Sequence, residues 1–252
     1  MMKKKSQSAK KEATQSSEPI RLNKFIANAG VCSRREADKL IAAGEVTVNG
    51  EVITEMGYKV SLTDKVTHNG KKLSAESPVY LLLNKPKGFI TTTDDPHERK
   101  TVMDLVKTAG PERIYPVGRL DRATTGLLLF TNDGDLAVKL AHPSNNIKKI
   151  YRVEIDKEIT NADFDKISDG LKLEDGPVKV DKIAILEDKK TLGLEIHVGK
   201  NRIVRRIFEH LGYEVLKLDR VVYAGLDKTN LPRGKWRMLT DKEVFRLKNQ
   251  KS

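Results

Sequence analysis

The chain has 252 residues, 38% of them hydrophobic, and 47 Lys and Arg against 35 Asp and Glu give a net charge of +12. That length supports more than one domain, and the cationic excess favours a polyanionic partner, nucleic acid ahead of a membrane surface. No apolar run approaches the roughly 20 residues of a membrane span, the lone Cys32 excludes an internal disulfide or a cysteine zinc cluster, and the five His lack metal-ligand spacing. A soluble cytoplasmic protein without metal, membrane or nucleotide cofactor is expected.

Residues 1–19, rich in Lys, Ser and Gln, predict a disordered basic tail with no apolar stretch of the secretory kind. Order is expected from Ile20. Leu22, Phe25, Ile26 and Ala29 recur at helical spacing up to Gly30. Ser33-Arg34-Arg35-Glu36 is a capping box opening a second helix, whose apolar face is Ala37, Leu40 and Ile41 and whose stop is Gly44. Residues 46–48, Asn49-Gly50 and residues 51–53 predict a hairpin with a type I′ turn. The phrase Ser33-Arg34-Arg35-Glu36-Ala37, followed by Gly44-Glu45-Val46-Thr47-Val48-Asn49-Gly50, resembles the core of the RNA-binding domain named after ribosomal protein S-four. The likeness covers most of residues 20–66, in a module expected to span 20–74. Arg34 and Arg35 fall in the first turn of a helix whose free N–H groups attract phosphate, and Lys39 lies one turn on. These three are candidate RNA contacts, the alternative being ordinary solvated charges.

Breakers from Leu73 to Pro78 suggest a linker, and residues 78–247 a second domain, with a basic tail at 248–252. Residues 80–83 read as a buried strand interrupted by Lys85-Pro86-Lys87-Gly88, and residues 89–93 as another strand. A short helix is expected at 101–106, a strand at 127–131, and a helix at 136–141 stopped by His142-Pro143. Residues 149–155 and 192–198 alternate as half-buried strands, flanking a helix that Thr160 caps. Trp236 reads as a core residue, and Thr240-Asp241-Lys242-Glu243 caps a last helix. No regular βαβ repeat, dinucleotide motif or P-loop appears. The fold class is therefore α+β: a small helix-helix-hairpin domain, then a domain with a largely antiparallel mixed sheet and flanking helices.

Two stretches can carry chemistry. Gly118-Arg119-Leu120-Asp121-Arg122-Ala123-Thr124-Thr125-Gly126 sets one carboxylate between two arginines before a buried strand. Neighbouring positive charge keeps such an Asp ionised, fit to act as nucleophile or general base, or only as a structural ion pair. In Gly199-Lys200-Asn201-Arg202-Ile203-Val204-Arg205-Arg206-Ile207-Phe208, the apolar face is Val204, Ile207, Phe208 and Leu211. Arg202 and Arg206 point away from that face and Arg205 lies on its flank. Arg205 is thus placed to reach inward, the alternative being a basic solvated helix.

Together with Leu83-Asn84-Lys85-Pro86-Lys87-Gly88, Pro116-Val117 before Gly118, Lys149-Ile150-Tyr151, Gly225-Leu226 and Leu231 through Leu239, these stretches resemble the pseudouridine synthases. The similar branch modifies ribosomal RNA and carries an N-terminal S-four-type domain. The resemblance runs over roughly residues 20–245, departing at Ile203, where a polar residue is more usual. It implies a cofactor-free isomerisation in which uracil leaves its ribose, turns and is rejoined through carbon five. By the same resemblance Asp121 is the catalytic carboxylate, Tyr151 stacks on the extruded uracil, and Arg205 pairs with Asp121, with Lys200 as fallback. Arg119 fills the gap left by the flipped nucleotide, a step costing a few kcal/mol of unstacking. Lys85, Lys87, Arg122, Lys200, Arg202 and Arg206 join the RNA contacts, which position RNA without reading its sequence. The expected partner is ribosomal RNA, of the large subunit ahead of the small, and the expected state a monomer. A non-catalytic RNA-binding or ribosome-assembly factor would need the basic surface but not Asp121, Tyr151 and Arg205. A DNA-binding regulator lacks a recognition helix with dimer features.

Overall fold

A computed structural model describes residues 18–186 and 188–250. Most of the tail expected at 1–19, and the last two residues of that expected at 248–252, lie outside the described residues. The chain divides into two units, one ending at Glu76 and the next beginning at Ser77.

In the first unit β1 (Ile20–Arg21) leads into α1 (Leu22–Asn28) and α2 (Arg34–Ala42). The capping box forms as expected: Glu36 N–H donates to Ser33 Oγ, and Ser33 N–H donates to the Glu36 carboxylate at 2.9 Å. β2 (Val46–Val48) and β3 (Glu51–Val52) pair across Asn49 and Gly50, whose φ values of 53° and 94° are those of a type I′ turn. β4 (Lys59–Val60) pairs with β1, while β5 (Val66–His68) and β6 (Lys71–Lys72) complete a sheet of order β3-β2-β5-β6. That second hairpin had no alternating apolar pattern to announce it. Leu22, Ile26, Ala37, Ile41, Val46, Val48, Val60 and Val66 close the core.

The second unit runs β7 (Tyr80–Lys85), α3 (Met103–Val106), β8 (Tyr115–Val117), β9 (Thr125–Thr131), α4 (Gly134–Ala141), β10 (Lys149–Ile155) and α5 (Asn161–Asp169). It continues through β11 (Leu171–Leu173), β12 (Gly176–Val178), β13 (Lys182–Ile185), β14 (Thr191–Ile196), α6 (Ile203–His210), β15 (Val215–Tyr223), β16 (Trp236–Met238) and α7 (Asp241–Asn249). The main sheet has the order β13-β14-β10-β15-β9-β7-β16, with β8 also on β9. Its pairings are antiparallel except that of β15 with β9, so the unit is α+β with a mostly antiparallel sheet, as expected.

Both sheet faces are covered, which is why β7 and β9 read as continuous apolar runs. Leu81, Leu83, Leu128 and Phe130 belong to one core, under Ile203, Val204, Ile207 and Phe208 of α6. Leu82, Leu127 and Leu129 belong to the other, under Leu136 and Leu140 of α4 and Leu247 of α7.

One irregularity positions the site. β7 occupies one edge of β9 along its length, so β15 and β8 share the opposite edge. β15 holds the start of β9 through only Asp219↔Thr125 and Arg220↔Gly126, and β8 holds its end through residues 115–117. The sheet forks there. The approach of β15 to β9 requires a glycine: Gly126 has φ +109°, and a Cβ on it would lie 2.3 Å from the carbonyl oxygen of Arg220.

The strand expected at 89–93 does not form. Ile90 makes a single bridge with Thr101, and Thr91 Oγ1 instead exchanges hydrogen bonds with the backbone of Leu120.

Candidate active site at the sheet fork

A cavity of about 160 Å³ opens at the fork, with Asp121, Tyr151, Arg202 and Arg220 in its walls. An apolar cavity of roughly 150 Å³ is known to take up benzene, so this volume suits one six-membered ring. Val117 and Leu140 come from one core and Leu218 and Val204 from the other, so the cavity passes between the two.

Asp121 sits in the loop between β8 and β9, its side chain 38% exposed. Arg202 Nη1 is 4.0 Å from Asp121 Oδ2. An ion pair that long and that exposed is worth under about 1 kcal/mol, so it does not hold the loop. The loop is held from below. Lys85, with no exposed surface, donates from Nζ to the carbonyls of Thr124 at 2.8 Å, Asp121 at 3.0 Å and Pro86 at 3.3 Å. Burial pushes the Lys85 ammonium down to about 8, Arg233 adds to that shift, and Asp121 opposes it. Thr91 fixes Leu120, while Gly88 N–H donates to the Arg122 carbonyl at 2.8 Å and Arg122 Nε to the Gly88 carbonyl at 3.3 Å.

Tyr151 on β10 is 8% exposed, one flat wall of the cavity, and its cross-strand neighbour is Arg220. Arg220, 3% exposed, donates from Nε to the Leu127 carbonyl at 2.8 Å, and its Cζ lies 4.4 Å from the centre of the Tyr223 ring. Lys149 donates to the carbonyls of His197 at 2.6 Å and Ile147 at 2.9 Å. Burial, reinforced by Arg220, brings its ammonium down to about 8.

Several expected roles change. Lys85, expected on RNA, is fully buried and supports the Asp121 loop. Arg205 does reach inward and is 8% exposed, but its Nη1 donates to the Val215 carbonyl at 2.8 Å and makes no ion pair with Asp121. Arg202 takes that place, because its left-handed backbone at the start of α6, φ 48°, turns it away from the helix line. Lys200, the expected fallback, donates to the Asp175 carbonyl at 2.9 Å. Arg206 clasps the Asp175 carboxylate through two contacts of 3.0 Å. Arg119, Arg122 and Lys87 are exposed around the mouth loop, and Arg34, Arg35 and Lys39 are exposed on α2 of the first unit. Trp236 packs against the larger core. Arg220, and Lys149 as a wall residue, had no local signal: each acquires its meaning from strands far away in sequence.

A cavity sized for one ring, with a carboxylate at its rim and cations in its walls, is the candidate active site. Residues 79–210 match the family described as RNA pseudouridylate synthase, and residues 20–66 match the S4 domain. Ribosomal large subunit pseudouridine synthase B of Bacillus subtilis is 47% identical, over 90% of this chain and 95% of that protein. Dual-specificity RNA pseudouridine synthase RluF of Escherichia coli is 39% identical, over 90% of this chain and 78% of that one. A crystal structure of a pseudouridylate synthase superposes with a TM-score of 0.65 at 31% identity, covering 90% of this chain and 99% of the other. The chain belongs to the RNA pseudouridine synthase family, in the branch with an N-terminal S4 domain. It is an isomerase acting on RNA. Among the described residues no helix is long and apolar enough to cross a membrane.

Proposed function

We propose that this enzyme isomerises a uridine of ribosomal RNA, in the large subunit, to pseudouridine, with Asp121 as the catalytic carboxylate. The observation that carries this reading is Asp121 at the rim of a ring-sized cavity whose wall is Tyr151. The name of the Bacillus subtilis relative points to the ribosomal large subunit, and that of the Escherichia coli relative to RNA. Uracil extruded from its stack lies against the Tyr151 ring, bringing ribose C1′ to the Asp121 carboxylate. Arg202 faces that carboxylate at 4.0 Å, and Arg205 ties α6 to β15 through the Val215 carbonyl. Residues 20–74 act as an RNA anchor through Arg34, Arg35 and Lys39, and residues 78–247 carry out the chemistry. Lys87, Arg119, Arg122 and Arg202 hold RNA at the mouth, Arg119 entering the gap left by the flipped nucleotide. The protein works as a cytoplasmic monomer without metal or cofactor.

The test compares wild type with Asp121→Asn on deproteinised and on assembled ribosomal RNA, mapping pseudouridine by carbodiimide-adduct primer extension. A site-specific stop with wild type, absent with Asp121→Asn at equal RNA affinity, is expected. No stop with either protein rejects the assignment to ribosomal RNA. A stop with both rejects Asp121, and equal binding without any modification favours a binding or assembly factor.

A further inference from the structure

Among the described residues Thr124 Oγ1 and Arg220 Nη2 are buried without a hydrogen-bond partner, and both residues line the cavity beside Asp121. Buried polar atoms left unpaired are rare and unfavourable, so two in one cavity point to a ligand that satisfies them. The Arg220 guanidinium is immobilised by the Leu127 carbonyl and the Tyr223 ring, leaving Nη2 free. Lys149 lines the same cavity, held by carbonyl oxygens alone. Neither cation makes an ion pair with a carboxylate among the described residues. A buried guanidinium and a half-buried ammonium without an acid of their own favour an anion over a neutral guest. A phosphodiester is the wrong anion, since it stays with the RNA backbone outside a cavity sized for one ring. The base itself becomes the anion during the reaction.

Building on the assignment of Asp121, we propose that Arg220, with Lys149 beside it, stabilises the negative charge that collects on uracil as its glycosidic bond breaks. Heterolysis of C1′–N1 sends the bonding pair to the base, where it spreads over N1 and the two carbonyl oxygens, while the Asp121 carboxylate faces the electron-poor C1′. The base then turns and C5 bonds to C1′. C5 loses a proton and N1 gains one, so the overall formula is unchanged. Arg220 Nη2 donates to a carbonyl oxygen throughout, and the Thr124 hydroxyl donates to an oxygen or accepts from N3–H. These donors are fixed before the charge appears, the arrangement that stabilises transition states most.

The experiment measures RNA affinity and the single-turnover rate at which the N1-linked nucleoside is lost for wild type, Arg220→Gln and Arg220→Lys, using ribosomal RNA made with uridine or with 5-fluorouridine, whose C5 keeps its fluorine and has no proton to lose after it bonds to C1′. Thermal melting identifies folded variants. Loss of one preorganised donor of this kind lowers kcat by about 10²–10³-fold. Arg220→Gln is expected to lose about that much in rate with RNA affinity within about threefold, and Arg220→Lys to recover at least about tenfold of it. Fluorine at C5 makes uracil a better leaving anion, so the defect of Arg220→Gln should shrink at least about fivefold on the 5-fluoro substrate. A folded Arg220→Gln within threefold of wild type overturns the proposal, as does a defect equal on both substrates, which marks a purely structural role. If Arg220→Gln does not fold, Lys149→Gln must show the same narrowing, and its absence is equally decisive. Wild-type rates for Arg220→Gln beside an inert Asp121→Asn overturn this assignment alone, whereas an inert wild type overturns both.

Discussion

The two units handle positive charge in opposite ways. In the unit ending at Glu76, Arg34, Arg35 and Lys39 stand exposed on α2, and the core beneath them is wholly apolar. In the unit beginning at Ser77, Lys85, Arg205 and Arg220 are buried, and Lys85 and Arg220 each rest on carbonyl oxygens of the β9 region. An exposed cation keeps its hydration and meets a polyanion at little expense to the fold. A buried cation gives up its hydration and stays only where oxygens or a ligand replace it. Exposed cations should therefore govern RNA affinity, and buried ones stability and rate.

Three variants test that division, taken from the largest expected effect on stability to the smallest. Lys85→Met leaves three carbonyls without their shared donor and frees the Asp121 loop. Each buried acceptor left unsatisfied costs about 1–3 kcal/mol, so a loss of about 3–5 kcal/mol is expected in urea unfolding, together with loss of activity. A loss below about 1 kcal/mol would remove Lys85 as the support of the loop.

Asp219 sharpens the contrast from the acidic side. It accepts from Thr125 at 2.8 Å and Arg233 at 2.9 Å and pairs with Lys228. Burial alone would raise its carboxyl, but the bonds from Arg233, Lys228 and Thr125 prevail and bring it to about 2. Because the folded value lies below the ordinary value near 3.9, this stability is present above about pH 4 and lost as pH falls through about 2. Asp219→Asn is expected to destabilise the fold by about 2 kcal/mol at pH 7, with the difference from wild type closing between about pH 4 and pH 2. A difference independent of pH over that range would place the effect in packing instead of charge.

Arg34→Ala with Arg35→Ala carries the smallest effect on the fold, within about 0.5 kcal/mol for surface positions. RNA affinity should fall, and the slope of log affinity against log salt should lessen by up to about 2. Filter binding at several salt concentrations reads both, and an unchanged slope would argue against the first unit as an RNA anchor.

Local features were legible in the residues themselves. The capping boxes at Ser33 and Thr240 and the Asn49-Gly50 turn depend on neighbours within a few positions, and each forms as its spacing predicts. The apolar runs at β7 and β9 announced buried strands for the same reason. The residues around Thr91 misled, since a β-like composition there serves hydrogen bonds to Leu120 instead of a ladder. Lys85 misled as well: a lysine in a Pro- and Gly-rich turn is solvated by default, and nothing near it announces the Asp121 and Thr124 carbonyls, 36 and 39 positions away, that replace water.

The sequence by itself determined the family, the α+β class, the two-part organisation of motifs and the carboxylate on which the proposed chemistry turns, because those signals lie in short contiguous phrases. Which cation meets Asp121, which ones stand in the cavity wall and where the cavity opens were decided only by the tertiary structure. Arg202 reaches Asp121 through a left-handed residue at a helix start, and Arg220 reaches Leu127 across 93 positions. The cavity exists because β15 and β8 share one edge of β9 and part. Such pairings arise from the competition of distant backbone segments for the same hydrogen-bonding edge, a competition that no single segment encodes.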